Sequence, residues 1–276
     1  MGIFGHGPRF RRRPLRFHRA PRDQVDRPAE AITPSSGSQP AAAPAQEWHG
    51  METRREAEDR NDLRVEVLQP HLPLVARALF RCDGADERCS LPICAVCARD
   101  YRRGLIAQLH ELANAYVGPH QVATIYLRLF PPGSLADADV RGARDLLRKR
   151  LDRAGFKGAI VLGGIEVAWQ AKWQRWLLHV HVLAVGVDPS AWERLEAALK
   201  DSGTDDPVQA VALRDPDEQL SYLIKFVTYH RPGRLRVPLP RDRLVELAAW
   251  WSRHRFEDYL FAYGARRRGG RIVVDK

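Results

Sequence analysis

Residues 158–187 read GAIVLGGIEVAWQAKWQRWLLHVHVLAVGV. Two apolar runs, 158–169 and 176–187, flank the polar stretch Gln170–Arg175, and both are short and rich in Val and Ile. That pattern predicts two strands joined as an antiparallel hairpin. Residues i and i+2 of a strand share a face, so His179 and His181 project together. Leu178, Val180, Val182 and Ala184 make the opposite, wholly apolar face. Glu166 is the one carboxylate of the first run, and antiparallel pairing can set it beside the histidines. Two neutral imidazoles and a carboxylate suit a single divalent cation. The alternative is two unrelated half-buried histidines and an edge carboxylate, because these residues alone leave the register open.

Outward from the hairpin, residues 122–130 alternate as a strand: Ala123, Ile125, Leu127 and Leu129 on one face, Thr124, Tyr126 and Arg128 on the other. A helix is predicted over about 136–154, with capping-box spacing at Ser134 and Asp137 and a stop at Gly155. Its buried stripe is Val140, Ala143, Leu147 and Leu151. A helix at about 190–200, a weak strand near 207–213 and helices at about 216–229 and 241–263 follow. The order from residue 120 is β-α-β-β-α-β-α-α. It implies an α+β fold, an antiparallel β-sheet with helices on one face.

The 216–229 helix carries a second signal. Asp215-Pro216 reads as an N-cap with proline at the first helical position, and Leu220, Leu223, Ile224 and Val227 form the core stripe. At about 100° per residue, Tyr222, Lys225 and Tyr229 fall about 200°, 140° and 180° from Leu220. Tyrosine and lysine therefore share a face away from the core, where a surface tyrosine is the plain alternative. A phenol is a poor nucleophile near neutral pH; a nearby metal could polarise its target, and an ammonium group could stabilise the developing negative charge.

All four cysteines lie within 82–97, as Cys82, Cys89, Cys94 and Cys97, spaced C-x6-C-x4-C-x2-C. The first twenty residues hold Arg-Arg-Arg where a signal peptide would be apolar, so a cytoplasmic protein is expected. Thiols in that compartment point to Zn²⁺ and not to disulfides. The loose spacing leaves room for His71 or His110 in place of one cysteine, and buried unliganded thiols are the other reading. A helix from about Leu105 to Tyr116 comes next, preceded by Arg99, Arg102 and Arg103.

The net charge is +10, but residues 1–22 hold seven arginines and no acid, and residues 264–276 carry +4. Removing both leaves −1 for residues 23–263. Basic ends of this kind bind polyanions without specificity. No apolar run reaches the roughly 18–20 residues of a membrane span, so no membrane partner is expected. The expected organisation is a disordered Arg-rich arm and Pro/Ala/Ser linker (1–59), a Cys-rich zinc-binding helical segment (60–118), a sheet domain (119–232), and a C-terminal helix with a basic tail (233–276). Trp169, Trp173 and Trp176 around the hairpin turn are candidates for stacking on unpaired bases, with Trp176 the most core-like.

His-hydrophobic-His on a strand, followed by Tyr222-Leu-Ile-Lys225, resembles the HUH endonucleases. The branch most similar is the rolling-circle replication initiators of plasmids and related elements. The Trp176-x-x-His179-x-His181-x-Leu183 spacing resembles their metal motif, and the strand Thr124–Leu129 resembles their first motif. The cysteine cluster resembles one found upstream of the nicking domain in some relatives. The resemblance implies an RRM-like nicking domain and Mg²⁺ or Mn²⁺ held by His179, His181 and Glu166. It implies Tyr222 as nucleophile, aided by Lys225, giving a 5′-phosphotyrosine adduct and a free 3′-hydroxyl. Cys82, Cys89, Cys94 and Cys97 become a structural zinc site, and Arg99, Arg102, Arg103 and Arg128 DNA contacts. The implied partners are single-stranded DNA at an origin or element end, and a host helicase and polymerase, since no Gly-x4-Gly-Lys-Ser/Thr loop is present. Tyr229 is a candidate second nucleophile. A transposase or relaxase of the same chemistry, or a non-catalytic zinc-stabilised DNA-binding protein, are the alternatives.

Overall fold

The structure is a computed structural model that describes residues 51–82, 88–230 and 236–275. The expected arm and the linker at 31–46 lie outside the described residues. Three helices come first: α1 (Arg54–Leu68), α2 (Pro73–Arg81) and α3 (Ala95–Ala115). Then follow β1 (His120–Phe130), α4 (Val140–Ala154), β2 (Ile160–Gln170), β3 (Arg175–Val185), α5 (Pro189–Ala198) and β4 (Val208–Ala212). A short α6 (Pro216–Ser221), a two-residue ribbon of β5 (Tyr229–His230) and β6 (Val237–Pro238), and α7 (Arg241–Trp251) lead to β7 (Leu260–Tyr263). The hairpin β8 (Ala265–Arg268) and β9 (Arg271–Val274) ends the described chain. Strands β4-β1-β3-β2-β7 form one sheet in which every neighbouring pair is antiparallel. The chain is α+β, as its patterning implies.

Three expected boundaries move. Helix α1 starts inside the segment assigned to the arm: Thr53 and Glu56 close a reciprocal capping box, and Glu52 is already packed against Arg102. The helix expected over 216–229 ends at Ser221, because the backbone groups beyond it bond to side chains from elsewhere in the fold. Arg102 donates to Ser221 O and Ile224 O, and the Glu166 carboxylate accepts the Lys225 N–H. The helix expected over 241–263 stops at Trp251, and Leu260–Tyr263 pairs with β2 as a fifth strand. The basic tail is a β-hairpin turned by Gly269 and Gly270, both at positive φ (57° and 79°), the backbone a two-residue turn demands.

The sheet has two unlike faces. On one, Trp192 of α5 donates to Gln121, and Phe156, just after α4, meets the Trp192 ring edge-on. Trp169 and Trp176 pack edge to face there and are buried, leaving Trp173 exposed at the hairpin turn. The other face carries the histidines. Helices therefore lie on both sides: α4 and α5 cover the apolar face, while α3 holds the segment after α6 against the histidine face. A register shift between Tyr126 and Arg128 pairs Tyr126 with His179 but Arg128 with Leu178. This β-bulge turns Arg128 onto the apolar-face side, where its guanidinium lies over the Phe130 ring.

Candidate metal and nucleophile site

The hairpin register places Glu166 directly opposite His179, and Gly164 opposite His181. Alternation then aims all three side chains to one face. His179 Nε2 lies 3.1 Å from His181 Nε2, and Glu166 Oε2 lies 3.8 Å and 4.0 Å from the two. Two ligands each about 2.1 Å from one ion stand at most roughly 4.2 Å apart, so the three atoms fit a single hard divalent cation. Glu166 and His179 are buried, and His181, 20% exposed, forms the mouth.

Hydrogen bonds orient the imidazoles. His179 Nδ1 faces the Leu177 carbonyl at 3.2 Å, so it carries the proton and leaves the Nε2 lone pair toward its neighbours. His181 Nδ1 is 2.8 Å from Thr124 Oγ1. Burial lowers the His179 pKa to about 4 and that of His181 well below its ordinary value, with Lys225 adding to both. Both rings are thus neutral ligands. Burial raises Glu166 to about 7 against the pull of Lys225 and Arg102. A cation would compensate this buried carboxylate.

Lys225 joins the nucleophile candidate to this centre. Its backbone N–H donates to Glu166, and its ammonium sits 3.6 Å from the centroid of the Tyr222 ring. The arrangement differs from the expected shared helix face: Tyr222 caps α6, and Lys225 lies in the irregular stretch beyond it. That stretch needs the glycine of β2. A Cβ on Gly164 would fall 2.4 Å from Ile224 Cγ1 and 2.8 Å from Leu223 O. Tyr229 lies on β5, beyond the irregular stretch, with Arg236 over its ring.

The sulfurs of Cys82, Cys89, Cys94 and Cys97 also converge. Neighbouring pairs stand 3.4, 3.6 and 3.8 Å apart, too far for a disulfide and close to the ~3.8 Å of four thiolates about 2.3 Å from a tetrahedral zinc. Cys94 caps α3, and both Asn61 Nδ2 and the Cys97 N–H donate to its sulfur. Bonds from the other three thiols hold Cys94 far below its usual range, while bonding to Cys82 pushes Cys89 and Cys97 up. Four sulfurs this close ionise together only around a cation. No histidine joins the cluster among the described residues; His110 instead lies 3.5 Å from Asp217.

The arginines are placed less as expected. Arg102 is buried, pairs with Glu52 at 2.8 Å and serves backbone carbonyls. Arg99 donates to Glu52 O and pairs with Asp100, so Arg99 and Arg102 are both engaged within the fold. Sequence reasoning gave no role to Tyr126, whose ring meets His179 edge-on while its hydroxyl donates to Gln209 of β4. The signal was the alternation itself, which puts Thr124 and Tyr126 on the histidine face. No protein-family model, curated protein or solved structure matches this chain.

Proposed function

We propose that the chain is a metal-dependent, single-tyrosine endonuclease and strand transferase acting on single-stranded DNA, of the kind that starts rolling-circle replication. The observation that carries the reading is the convergence of Glu166, His179 and His181 with Lys225, whose backbone bonds one ligand while its ammonium covers Tyr222. The β1-α4-β2-β3-α5-β4 path agrees with the RRM-like nicking domain of the HUH enzymes. No helix among the described residues is long and apolar enough to cross a membrane.

Glu166, His179 and His181 would hold Mg²⁺ or Mn²⁺, which supplies Lewis-acid polarisation of the scissile phosphate. Tyr222 Oη attacks phosphorus as the bond to the 3′-oxygen breaks. The phenolic proton passes to solvent, and the leaving oxygen takes one up as a 3′-hydroxyl. Lys225 stabilises the phenolate and the charge building on the phosphoryl oxygens. The 5′-phosphotyrosine is resolved when a 3′-hydroxyl attacks the same phosphorus and releases Tyr222. Zinc at the four cysteines is structural, and unwinding and synthesis fall to a host helicase and polymerase.

The test is an adduct assay with labelled single-stranded DNA tiled across neighbouring sequence, Mn²⁺ and a denaturing gel. A shifted band that disappears with EDTA, with Tyr222→Phe and with His179→Ala/His181→Ala is the expected result. A band that survives Tyr222→Phe reassigns the nucleophile. No band from protein that binds the DNA overturns the catalytic reading.

A further inference from the structure

Residues 222–228 carry Tyr222 and Lys225 but belong to no helix or strand. No ladder of backbone bonds holds them, and Phe226 sits at φ 48°, a conformation a bulky side chain adopts only under constraint. Phe226 packs edge-on against Tyr101, Trp251, Phe256 and Tyr259, and the Thr228 carbonyl accepts the Leu239 N–H; the side-chain hydrogen bonds that hold the segment come from two directions. From the sheet comes the Glu166 carboxylate, which accepts the Lys225 N–H. From the helical layer come two buried arginines. Arg102 donates through Nε to Ile224 O at 2.7 Å and through Nη2 to Ser221 O at 3.4 Å, gripping the chain on both sides of Tyr222. Arg64 donates through Nη2 to Thr228 Oγ1 at 3.0 Å.

Both arginines are rooted in the cysteine cluster. Arg64 also donates to the carbonyl of Ile93, the residue before Cys94. One turn earlier on α1, Asn61 donates to Cys94 Sγ at 3.1 Å and accepts the Ala95 N–H at 2.7 Å. Arg102 lies on the helix that Cys94 caps, and Glu52 holds its remaining donor. Burial works to raise the Glu52 pKa, but the charges of Arg102 and Arg60 and the hydrogen bonds to the carboxylate together outweigh it and hold Glu52 below its ordinary value. A planar fork held by a carboxylate on one side and delivered to two carbonyls on the other has one geometry.

We infer that the four-cysteine site, when it holds zinc, fixes the Tyr222–Lys225 segment through Asn61, Arg64 and Arg102. The arginines are positioning residues, and loading of the four-cysteine site governs how the Tyr222–Lys225 segment is held against the Glu166, His179 and His181 face. The catalytic consequence rests on the proposed nickase reading; the mechanical coupling does not.

Hydrogen exchange by mass spectrometry on the full chain separates the two. Peptides covering 219–230 and 160–185 are followed in zinc-loaded protein, in zinc-stripped protein, and in zinc-loaded Arg102→Gln, Arg64→Gln and Arg102→Lys, all without Mn²⁺. The expected result is exchange about tenfold faster or more in 219–230 on stripping and in both Gln variants, with 160–185 unchanged. Arg102→Lys keeps the charge but loses the fork, and is expected to recover part of the protection. Adduct yield should fall in parallel and return when zinc is restored. Unchanged exchange in 219–230 with the cysteines shown empty by metal analysis overturns the inference. If stripping also loosens 160–185, the zinc-loaded Gln variants decide, and protection retained in both overturns it equally. A wild-type protein that forms no adduct but shows the selective loosening removes the nickase reading and leaves the coupling standing.

Discussion

At the scale of single residues, Glu166 is the most informative group. Its folded pKa of about 7 stands above the ordinary 4.5, raised first by burial. A carboxyl shifted upward contributes stability that is full below its unfolded pKa and lost as pH rises through its folded one. Metal-free protein should therefore lose stability between about pH 4.5 and 7 from this group, on the order of 3 kcal/mol. The two histidines work oppositely at lower pH: each has its pKa depressed by burial, so each contributes stability that is lost as pH falls below about 6.5. Metal binding needs the histidines neutral and Glu166 ionised. With His179 neutral above about pH 4, Glu166 alone sets the pH dependence at and just below neutrality. Mn²⁺ affinity should rise about tenfold per pH unit up to about 7 and level off above it. In Glu166→Gln, whose amide oxygen can still accept the Lys225 N–H, the affinity should drop and that slope vanish. Calorimetry in buffers of different ionisation enthalpy, counting protons released, checks both statements.

At the scale of elements, the close approach of residues 223–224 to β2 gives a sharp expectation. Gly164→Ala would put a methyl group 2.4 Å from Ile224 Cγ1 and 2.8 Å from the Leu223 carbonyl. The backbone contact is the harder to relieve, so the segment must lift from the sheet at a cost of about 1–3 kcal/mol. Urea unfolding should show that loss, and Lys225 should release Glu166, weakening Mn²⁺ binding without loss of any ligand. An Ala variant with wild-type stability and affinity would contradict the close packing. The same segment shows what patterning can and cannot disclose. Period-two alternation was enough to place Glu166, His179 and His181 on one face, because strand geometry is local. The Asp215 cap was legible for the same reason: its side chain accepts the Glu218 N–H three residues on. The end of α6 was not, since it depends on Arg102 and Glu166, far away in sequence. Nor was Arg128, because the bulge that flips it leaves the alternation intact to the eye. Two signals were present in the sequence and went unread: the Thr53-x-x-Glu56 capping box ahead of α1, and Gly269-Gly270, which marks a hairpin inside what reads as a basic tail.

At the scale of the whole molecule, charge and chemistry are segregated. Residues 23–263 carry −1 in sum, while residues 1–22 carry +7. The other basic stretch is partly compensated by the fold: Arg266 pairs with Asp275 at 3.1 Å and Arg267 with Glu257 at 2.8 Å. Arg99 and Arg102 are engaged internally as well. On the proposed nickase reading, the N-terminal arginines should add non-specific attraction to DNA, and the position of the cut should not depend on them. Each phosphate neutralised on a single strand contributes about 0.7 to the slope of log affinity against log salt. The eight arginines of residues 1–46 set an upper bound of roughly 6 on the change when that segment is removed. A decrease of about 3–5 in slope is expected, with affinities converging at high salt and the adduct at the same nucleotide. Titrations across a range of salt, run beside the adduct assay, measure both. An unchanged slope would move the electrostatic footprint onto the folded part, and a shifted cut would give the arm a share in choosing the site. Either result would break the proposed division between an N-terminal stretch that attracts DNA and a folded part that acts on it.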